Sequence, residues 1–309
     1  MIKLALFTVT YCGLWYKGPA LSLEDQIVKA RELGFDGLAV ETKRPVALPC
    51  DLNQKRRSKV KELAESYQVK LCAVETMSNF VSPIIEEREN NLCMVKEAIE
   101  LAKDLEAPIV KVFAAWKGTM RVNGLGWYPE EVKYVPSPTR LQQWNWCVEG
   151  IKECAKWAEE YGIILALQNH PPVINYGYED ALQMVEEISE DNVKLCLDVP
   201  LFPRQDEEYI KEAVEKCKDL IVLSHYGSLS FDETPSGEII QKPSAGLPGK
   251  TLVNYPAFVK ELKRIGYKGV ISSEECAPVL ERHQYASMEV VDRHVKAALK
   301  YMRRLLAES

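Results

Sequence analysis

One pattern constrains this chain more than any other: a short apolar run followed by a longer amphipathic one, repeated eight times. The short runs are "KLALFTV" (3–9), "DGLAVE" (36–41), "KLCAVE" (70–75), "IVKVFA" (109–114), "IILALQ" (163–168), "VKLCLD" (193–198), "LIVLSH" (220–225) and "GVISSE" (269–274). Each has the length and apolar character of a buried strand. The intervening stretches read as helices. In "SLEDQIVKARELGF", Ser22 stands where an N-cap belongs, Asp25 follows three residues later, and Gly34 sits where the helix should stop. "TRLQQWNWCVEGIKECAKWAEEYG" also ends at a glycine. Strict alternation of strand and helix implies parallel strands joined by helical crossovers. Eight such units in 309 residues is the count for a closed (β/α)8 barrel of the α/β class. A doubly wound open sheet is the rival, but no G-x-G-x-x-G follows the first strand. Length alone would suggest roughly two domains, yet α/β barrels run this long as one. No linker or compositional break divides the chain, so a single domain over residues 1–309 is expected.

Composition excludes several functions. The chain is 47% hydrophobic and 27% charged, ordinary for a soluble protein. Its formal net charge of −6 lacks the basic footprint of a nucleic-acid binder. Nine scattered cysteines form no C-x-x-C pair, and several sit in apolar runs, which implies buried free thiols in a reducing compartment. The N-terminal apolar run is too short for a signal peptide, and no run approaches the ~18 apolar residues of a membrane span. A cytoplasmic protein without membrane contact is the expectation.

Two connections are long, residues 115–138 and 226–253. Both follow strand C-termini, the end of a barrel where active sites form, and long loops there are more often functional than not. The strand ends themselves carry polar groups. The fifth offers Gln168 and, two residues on and therefore on the same face, His170. The sixth ends in Asp198, the seventh in His225 and the eighth in Glu274, whose neighbour Glu275 must face elsewhere. Taken singly, each has an ordinary explanation as a cap, a core histidine or a solvated acid. Together they occupy four consecutive strands at the one end where barrel sites form. An oxygen- and nitrogen-rich set of this kind suits Mn2+, Mg2+, Fe2+ or Co2+, and no cysteine is expected to belong to it.

The sequence resembles the sugar phosphate isomerase/epimerase superfamily, the xylose isomerase-like TIM barrels. The resemblance rests on "ELGFDGLAVE", "LALQNH", "VKLCLD", "VLSH" and "PAFVKELKRIGYKGVISSEE", and spans nearly the whole chain. It implies one divalent ion, Mn2+ first, held by Gln168, Asp198, His225 and Glu274. Where the family usually has glutamate, this chain has Gln168. That removes one negative charge, so a bound ion should be a stronger Lewis acid. It also removes a proton carrier, because an amide cannot titrate. Glu274 or His170 must then act alone or with each other. The family's D-x-G-H is replaced by "DVPLF", which makes that wall more apolar. Trp116, Trp127, Tyr128, Phe202 and Arg204 are the candidate substrate contacts. Arg121, Arg140, Lys242 and Lys250 are further cations that could meet an anion.

Three functions fit these residues. The first is a metal-dependent carbohydrate isomerase or epimerase that removes a proton beside a polarised carbonyl. The second is a metal-dependent lyase on a keto-sugar, such as the catalytic subunit of a C-glycoside deglycosidase, which cleaves 3-oxo-C-glycosides with a small β-rich partner. The third is a non-catalytic sugar-binding barrel. The partner expected is a small carbohydrate, with a homo-oligomer or the β-rich hetero-oligomer as assembly. The endonuclease branch of the fold needs a histidine-rich metal cluster, and four histidines with an acidic balance argue against it.

Overall fold

Eight parallel strands close into a barrel, and eight helices surround it. The computed structural model describes residues 2–129, 133–227, 231–233, 239–242 and 244–308. In chain order, β1 (Lys3–Phe7) leads to α1 (Leu23–Leu33), β2 (Gly37–Glu41) to α2 (Gln54–Ser66), and β3 (Lys70–Glu75) to α3 (Ile85–Asp104). After β4 (Ile109–Val112) a hairpin, β5 (Met120–Val122) and β6 (Leu125–Trp127), precedes α4 (Arg140–Glu159). Then come β7 (Ile164–Gln168), α5 (Glu179–Ile188), β8 (Val193–Cys196), α6 (Glu207–Cys217) and β9 (Ile221–Gly227). A second hairpin, β10 (Phe231–Glu233) and β11 (Ile239–Gln241), precedes α7 (Tyr255–Arg264). β12 (Val270–Glu274), the short pair β13 (Leu280–Glu281) and β14 (Gln284–Tyr285), and α8 (Met288–Ala307) complete the chain. Around the barrel the order is β1, β12, β9, β8, β7, β4, β3, β2.

The helices form for the reasons the sequence offers. In α1, Leu23, Gln26, Ile27 and Ala30 lie on one buried face at helical spacing. Ser22 accepts from the Asp25 N–H, and Gly34 closes the helix in the left-handed region at φ 93°. Thr139 and Gln142 satisfy each other's backbone groups in a capping box that starts α4.

Three strands, β1, β4 and β8, stop short of their apolar runs at the C-terminal end. β1 stops at Phe7 and turns into a short 3-10 segment, Thr8–Tyr11. β8 stops at Cys196, two residues before Asp198. Apolar composition continues past the last ladder bond because these segments line the barrel mouth rather than the sheet. The hairpin β5–β6 is pinned there: the Gly126 N–H donates to the Leu14 carbonyl (2.8 Å), and a Cβ on Gly126 would press on the Trp15 ring. At the far side, a Cβ on Gly227 would overlap the Glu274 carbonyl, so only glycine lets β9 and β12 end this close together. The second long connection lies partly outside the described residues, as do the side chains of β10 and β11.

Candidate active site

Each barrel strand delivers one side chain to the mouth: Phe7, Glu41, Glu75, Lys111, Gln168, Asp198, His225 and Glu274. Two residues nearer the strand starts stand Ala5, Ala39, Ala73, Ala166 and Ser272, all fully buried. Strand side chains alternate, so these lie directly beneath the polar layer. Beneath Phe7, Glu41, Glu75, Gln168 and Glu274 the layer is small, whereas Ile109, Cys196 and Leu223 stand beneath Lys111, Asp198 and His225.

Asp198 is the hub. Its Oδ1 accepts the His225 backbone N–H (2.7 Å), and its Oδ2 lies 2.9 Å from His225 Nδ1. Gln168 donates from Nε2 to the same Oδ2 at 2.6 Å. Asn169 fixes the backbone, accepting the Asp198 N–H at 2.7 Å and donating to the Asp198 carbonyl at 3.2 Å. So "QNH" divides its work: Gln168 enters the cluster, Asn169 clamps Asp198, and His170 faces the cavity. His225 Nε2 lies 3.1 Å from Glu75 Oε1, and the Lys111 ammonium lies 3.3 Å from Glu75 Oε2. Glu75 and Lys111 are register partners across β3 and β4. Glu75, Lys111, Gln168, Asp198 and His225 are all buried.

The charges stabilise one another against burial. Burial alone would neutralise His225, but Asp198 and Glu75 outweigh it and hold the imidazole well above its ordinary value. Burial likewise opposes ionisation of Asp198 and Glu75, and the His225 charge overcomes it, with Lys111 adding to the effect at Glu75; both carboxyls are lowered. With no metal bound, the imidazolium is the cation of the cluster. Glu274 differs. Burial raises its carboxyl to about 7, and Asp198 and Glu75 add to the rise against the opposing charges of His225 and Lys111. His170 is driven down to about 4, chiefly by burial, although its bond to Pro171 favours the proton. Its Nδ1 lies 2.6 Å from the Pro171 carbonyl, which can only accept. The proton is therefore on Nδ1, and Nε2 carries the lone pair.

A cavity of about 420 Å3 opens over this layer. Gln168, His170, Asp198 and Glu274 line it, with Phe7, Glu41, Lys43 and Lys111 on the opposite side. Trp116 and Tyr128 form an aromatic wall: Trp116 stacks on Phe113 at 4.8 Å and meets His170 and Tyr128 edge-on at 5.3 and 5.7 Å. Pro200 and Leu201, from "DVPLF", add apolar surface.

Three candidate substrate contacts are not brought to this cavity. Trp127 is 60% exposed on the hairpin and does not line it. Phe202 is buried and packs edge-on against Tyr209 and Phe258. Arg204 is exposed and paired with Asp206 at 2.9 Å. Phe202 and Arg204 lie beyond the end of β8, and Trp127 ends the hairpin strand β6 outside the barrel, so the alternation of the barrel strands does not fix their direction. Of the other cations, Arg140 is engaged with Asp180 at 2.6 Å. The expectation that no cysteine belongs to the set is corrected in one respect: Cys196 lies with Asp198 and His225 in a buried group whose ligand atoms are close enough to share an ion. Cys196 shares Asp198's parity and brings Sγ to 3.5 Å from His225 Nδ1 and 3.6 Å from Asp198 Oδ1. Its thiol is pushed up by burial and by the Asp198 charge, so it is a neutral neighbour. Sequence reasoning missed Glu41, Glu75 and Lys111, although a lysine inside "IVKVFA" is a signal, since a strand buried on both faces has no solvent for it.

The donors fit a divalent ion. Gln168 Oε1 is a buried acceptor without a partner. It is Nε2 that faces Asp198 Oδ2 and His225 Nδ1, at 2.6 and 3.5 Å, so the amide would turn over to present its oxygen to an ion beside them; Glu274 faces the same cavity. Glu75 holds the far side of the His225 ring, the arrangement that orients metal-bound imidazoles. An ion here would take the place of the His225 Nδ1 proton.

A family model described as "Xylose isomerase-like TIM barrel" matches residues 27–304. The chain belongs to that family. It is 27% identical over 176 residues to the fructoselysine 3-epimerase of Shigella flexneri, covering 55% of each. The chain thus spans about half the length of that curated relative. Among solved structures, the D-psicose 3-epimerase of Clostridium cellulolyticum H10, with D-tagatose, superposes with TM-score 0.72 over 99% of both chains at 18% identity. The IOLI protein with a bound zinc atom gives TM-score 0.72 over 99% of both chains at 20% identity. At these identities the structures establish the fold.

Proposed function

We propose that this protein is a divalent-metal-dependent carbohydrate isomerase or epimerase. The observation that carries the reading is the convergence of Gln168, Asp198 and His225 in one buried cluster, with Glu274 opening to the same cavity at the C-terminal mouth of the barrel. Gln168 Oε1, Asp198, His225 Nδ1 and Glu274 would hold the ion, Mn2+ being our preferred metal. When bound, it supplies Lewis acidity toward a substrate carbonyl and the adjacent hydroxyl. The chain's residues do the rest. Glu274 faces the cavity and is the carboxylate placed to take and return a proton. His170 stays neutral and offers Nε2 to a substrate hydroxyl, a weaker base held in place by Pro171. Trp116 and Tyr128 give a sugar face an aromatic surface and keep water from the reacting carbon.

Relatives named for epimerisation support proton return over elimination. The keto-sugar lyase reading therefore stands second. The test is exchange in D2O. Protein loaded with Mn2+ and given D-fructose, D-psicose or a 3-keto-glucoside should incorporate deuterium beside the carbonyl of at least one. Exchange should vanish in Asp198→Ala. Absence of exchange with every sugar, together with no retained metal, would overturn the reading. Release of an aglycone or water would move it to the lyase.

A further inference from the structure

Lys111 is a charge that the cluster does not account for. It occupies the middle of an apolar strand at 1% exposure and yet lines the cavity beside Gln168, His170 and Glu274. Its ammonium lies 3.7 Å from the centre of the Phe113 ring and 3.3 Å from Glu75 Oε2. Among the described residues Glu75 is its carboxylate partner. An ammonium has three donors and no acceptor. Its contact with Glu75 Oε2 is an ion pair in which that oxygen receives no hydrogen bond, and the aromatic face takes charge but no full bond, so donor capacity remains for whatever fills the cavity. A lysine that only neutralised Glu75 would not need to border the cavity.

We propose that Lys111 is a catalytic residue that donates a hydrogen bond to a substrate oxygen and shares the negative charge which that oxygen gains during proton abstraction. The proposal rests on the isomerase reading above. In the step, the C–H proton passes to the Glu274 carboxylate. The C–H electron pair becomes the new carbon–carbon π bond. The carbonyl π pair moves onto oxygen, opposite the Lys111 ammonium. Nothing is oxidised or reduced, and reversal restores the carbonyl. A preformed cation in a dry site is the kind of group that stabilises developing charge most.

The test uses Lys111→Met, Lys111→Arg, Glu75→Gln and the double variant Glu75→Gln/Lys111→Met, all at saturating Mn2+. The double variant leaves no unpaired buried carboxylate, so it remains informative if Lys111→Met does not fold. Three quantities are read: metal content, kcat against KM for the ketose that exchanges, and affinity for glycolohydroxamate against D-fructose by tryptophan fluorescence. A hydroxamate anion mimics the planar, charged intermediate, and D-fructose the neutral ground state. Lys111→Met should keep its metal, lose about 10²–10³-fold in kcat with little change in KM, and weaken the hydroxamate far more than D-fructose. Lys111→Arg should recover part of the loss. The double variant should fall equally far below Glu75→Gln. If the double variant instead matches Glu75→Gln in kcat, Lys111 serves only to neutralise Glu75 and the proposal is overturned. Equal loss of hydroxamate and D-fructose affinity would overturn it as well. Should the wild type exchange no ketose proton, the isomerase reading fails, and the hydroxamate comparison still decides whether Lys111 faces a bound anion.

Discussion

The two halves of the barrel mouth both carry buried carboxylates but balance their charge differently. On β7, β8, β9 and β12 the side chains are Gln168, Asp198, His225 and Glu274, with no lysine or arginine among them. On β1 to β4 they are Phe7, Glu41, Glu75 and Lys111, and each acid has a cation beside it: Lys43 lies 2.8 Å from Glu41, and Lys111 3.3 Å from Glu75. The first half is short of positive charge and relies on the His225 imidazolium when no metal is bound. The second is neutral within itself. A cation is therefore drawn to one wall only, and a polarised substrate has one preferred way to lie across the cavity.

The strongest way to break this contrast is to remove its hub. Asp198→Ala should lower metal content from about one ion per chain to a trace, and exchange activity by at least about 10³-fold, because the variant leaves His225 without its Nδ1 partner. Mass spectrometry of the purified protein reads the metal directly. Full occupancy in the variant would show that the metal-binding wall has been misassigned.

Glu75→Gln attacks the join between the halves. Glu75 holds the His225 ring from the side away from Asp198 and is not among the proposed ligands. Losing such a partner should weaken metal binding about 10–100-fold. The same change leaves the Lys111 ammonium buried without its carboxylate, which should also lower Tm. If metal affinity holds while Tm falls, Glu75 belongs to the lysine half alone.

Gln168→Glu sharpens the contrast in the opposite direction. A carboxylate beside Asp198 adds a charge to the half already short of cations. Metal should bind roughly tenfold tighter, about 1.4 kcal/mol. The metal-free protein should be less stable than wild type, because the Gln168 Nε2 bond to Asp198 becomes a carboxylate contact. Weaker metal binding would remove Gln168 from the ligand set.

These tests separate what the sequence made legible from what it did not. All eight strands, the α1 caps and the cavity-lining positions of Gln168, His170, Asp198 and Glu274 could be read from alternation and spacing. Period-two alternation is local and survives folding unchanged, so a strand-end residue keeps its direction. Contacts across the barrel are not local. Glu75 meets His225 from 150 residues away, and Lys111 meets Glu75 only because β3 and β4 share a register. Nothing in "KLCAVE" or "IVKVFA" announces those partners. Phe202 and Arg204 failed to reach the cavity for a related reason: past Asp198 the chain turns through a 3-10 segment, Val199–Leu201, and parity no longer predicts facing.

His170 gives a smaller effect, visible as pH dependence. Its folded value near 4 lies below the ordinary 6.5, so the folded state prefers the neutral ring. That preference costs nothing above pH 6.5 and destabilises progressively as pH falls from 6.5 toward 4, where the unfolded chain takes up a proton that the native one refuses. By pH 5 the loss should be about 1–2 kcal/mol, reduced from the full shift because the ring borders the open cavity. Glu274 has the opposite sign, its raised carboxyl costing stability as pH rises from 4.5 toward 7. His170→Gln should therefore flatten the acid side of the Tm–pH curve and leave the neutral side in place. An unchanged acid limb would mean that His170 is protonated in the native protein.

The smallest effect is expected at Arg204. It resembles a substrate-binding cation in the sequence, two residues beyond an aromatic and six beyond a metal-ligand candidate. In the structure both partners of its ion pair with Asp206 are exposed. Exposed pairs contribute about 0–1 kcal/mol. The capping role at α6 belongs to Asp206, which accepts the Tyr209 N–H whether or not the arginine is present. Arg204→Ala should accordingly leave kcat and KM within about twofold and Tm unchanged from wild type. A tenfold rise in KM for an anionic sugar, with kcat unchanged, would extend the binding wall beyond the strand ends. The half of the mouth that is short of cations would then borrow one from its loop.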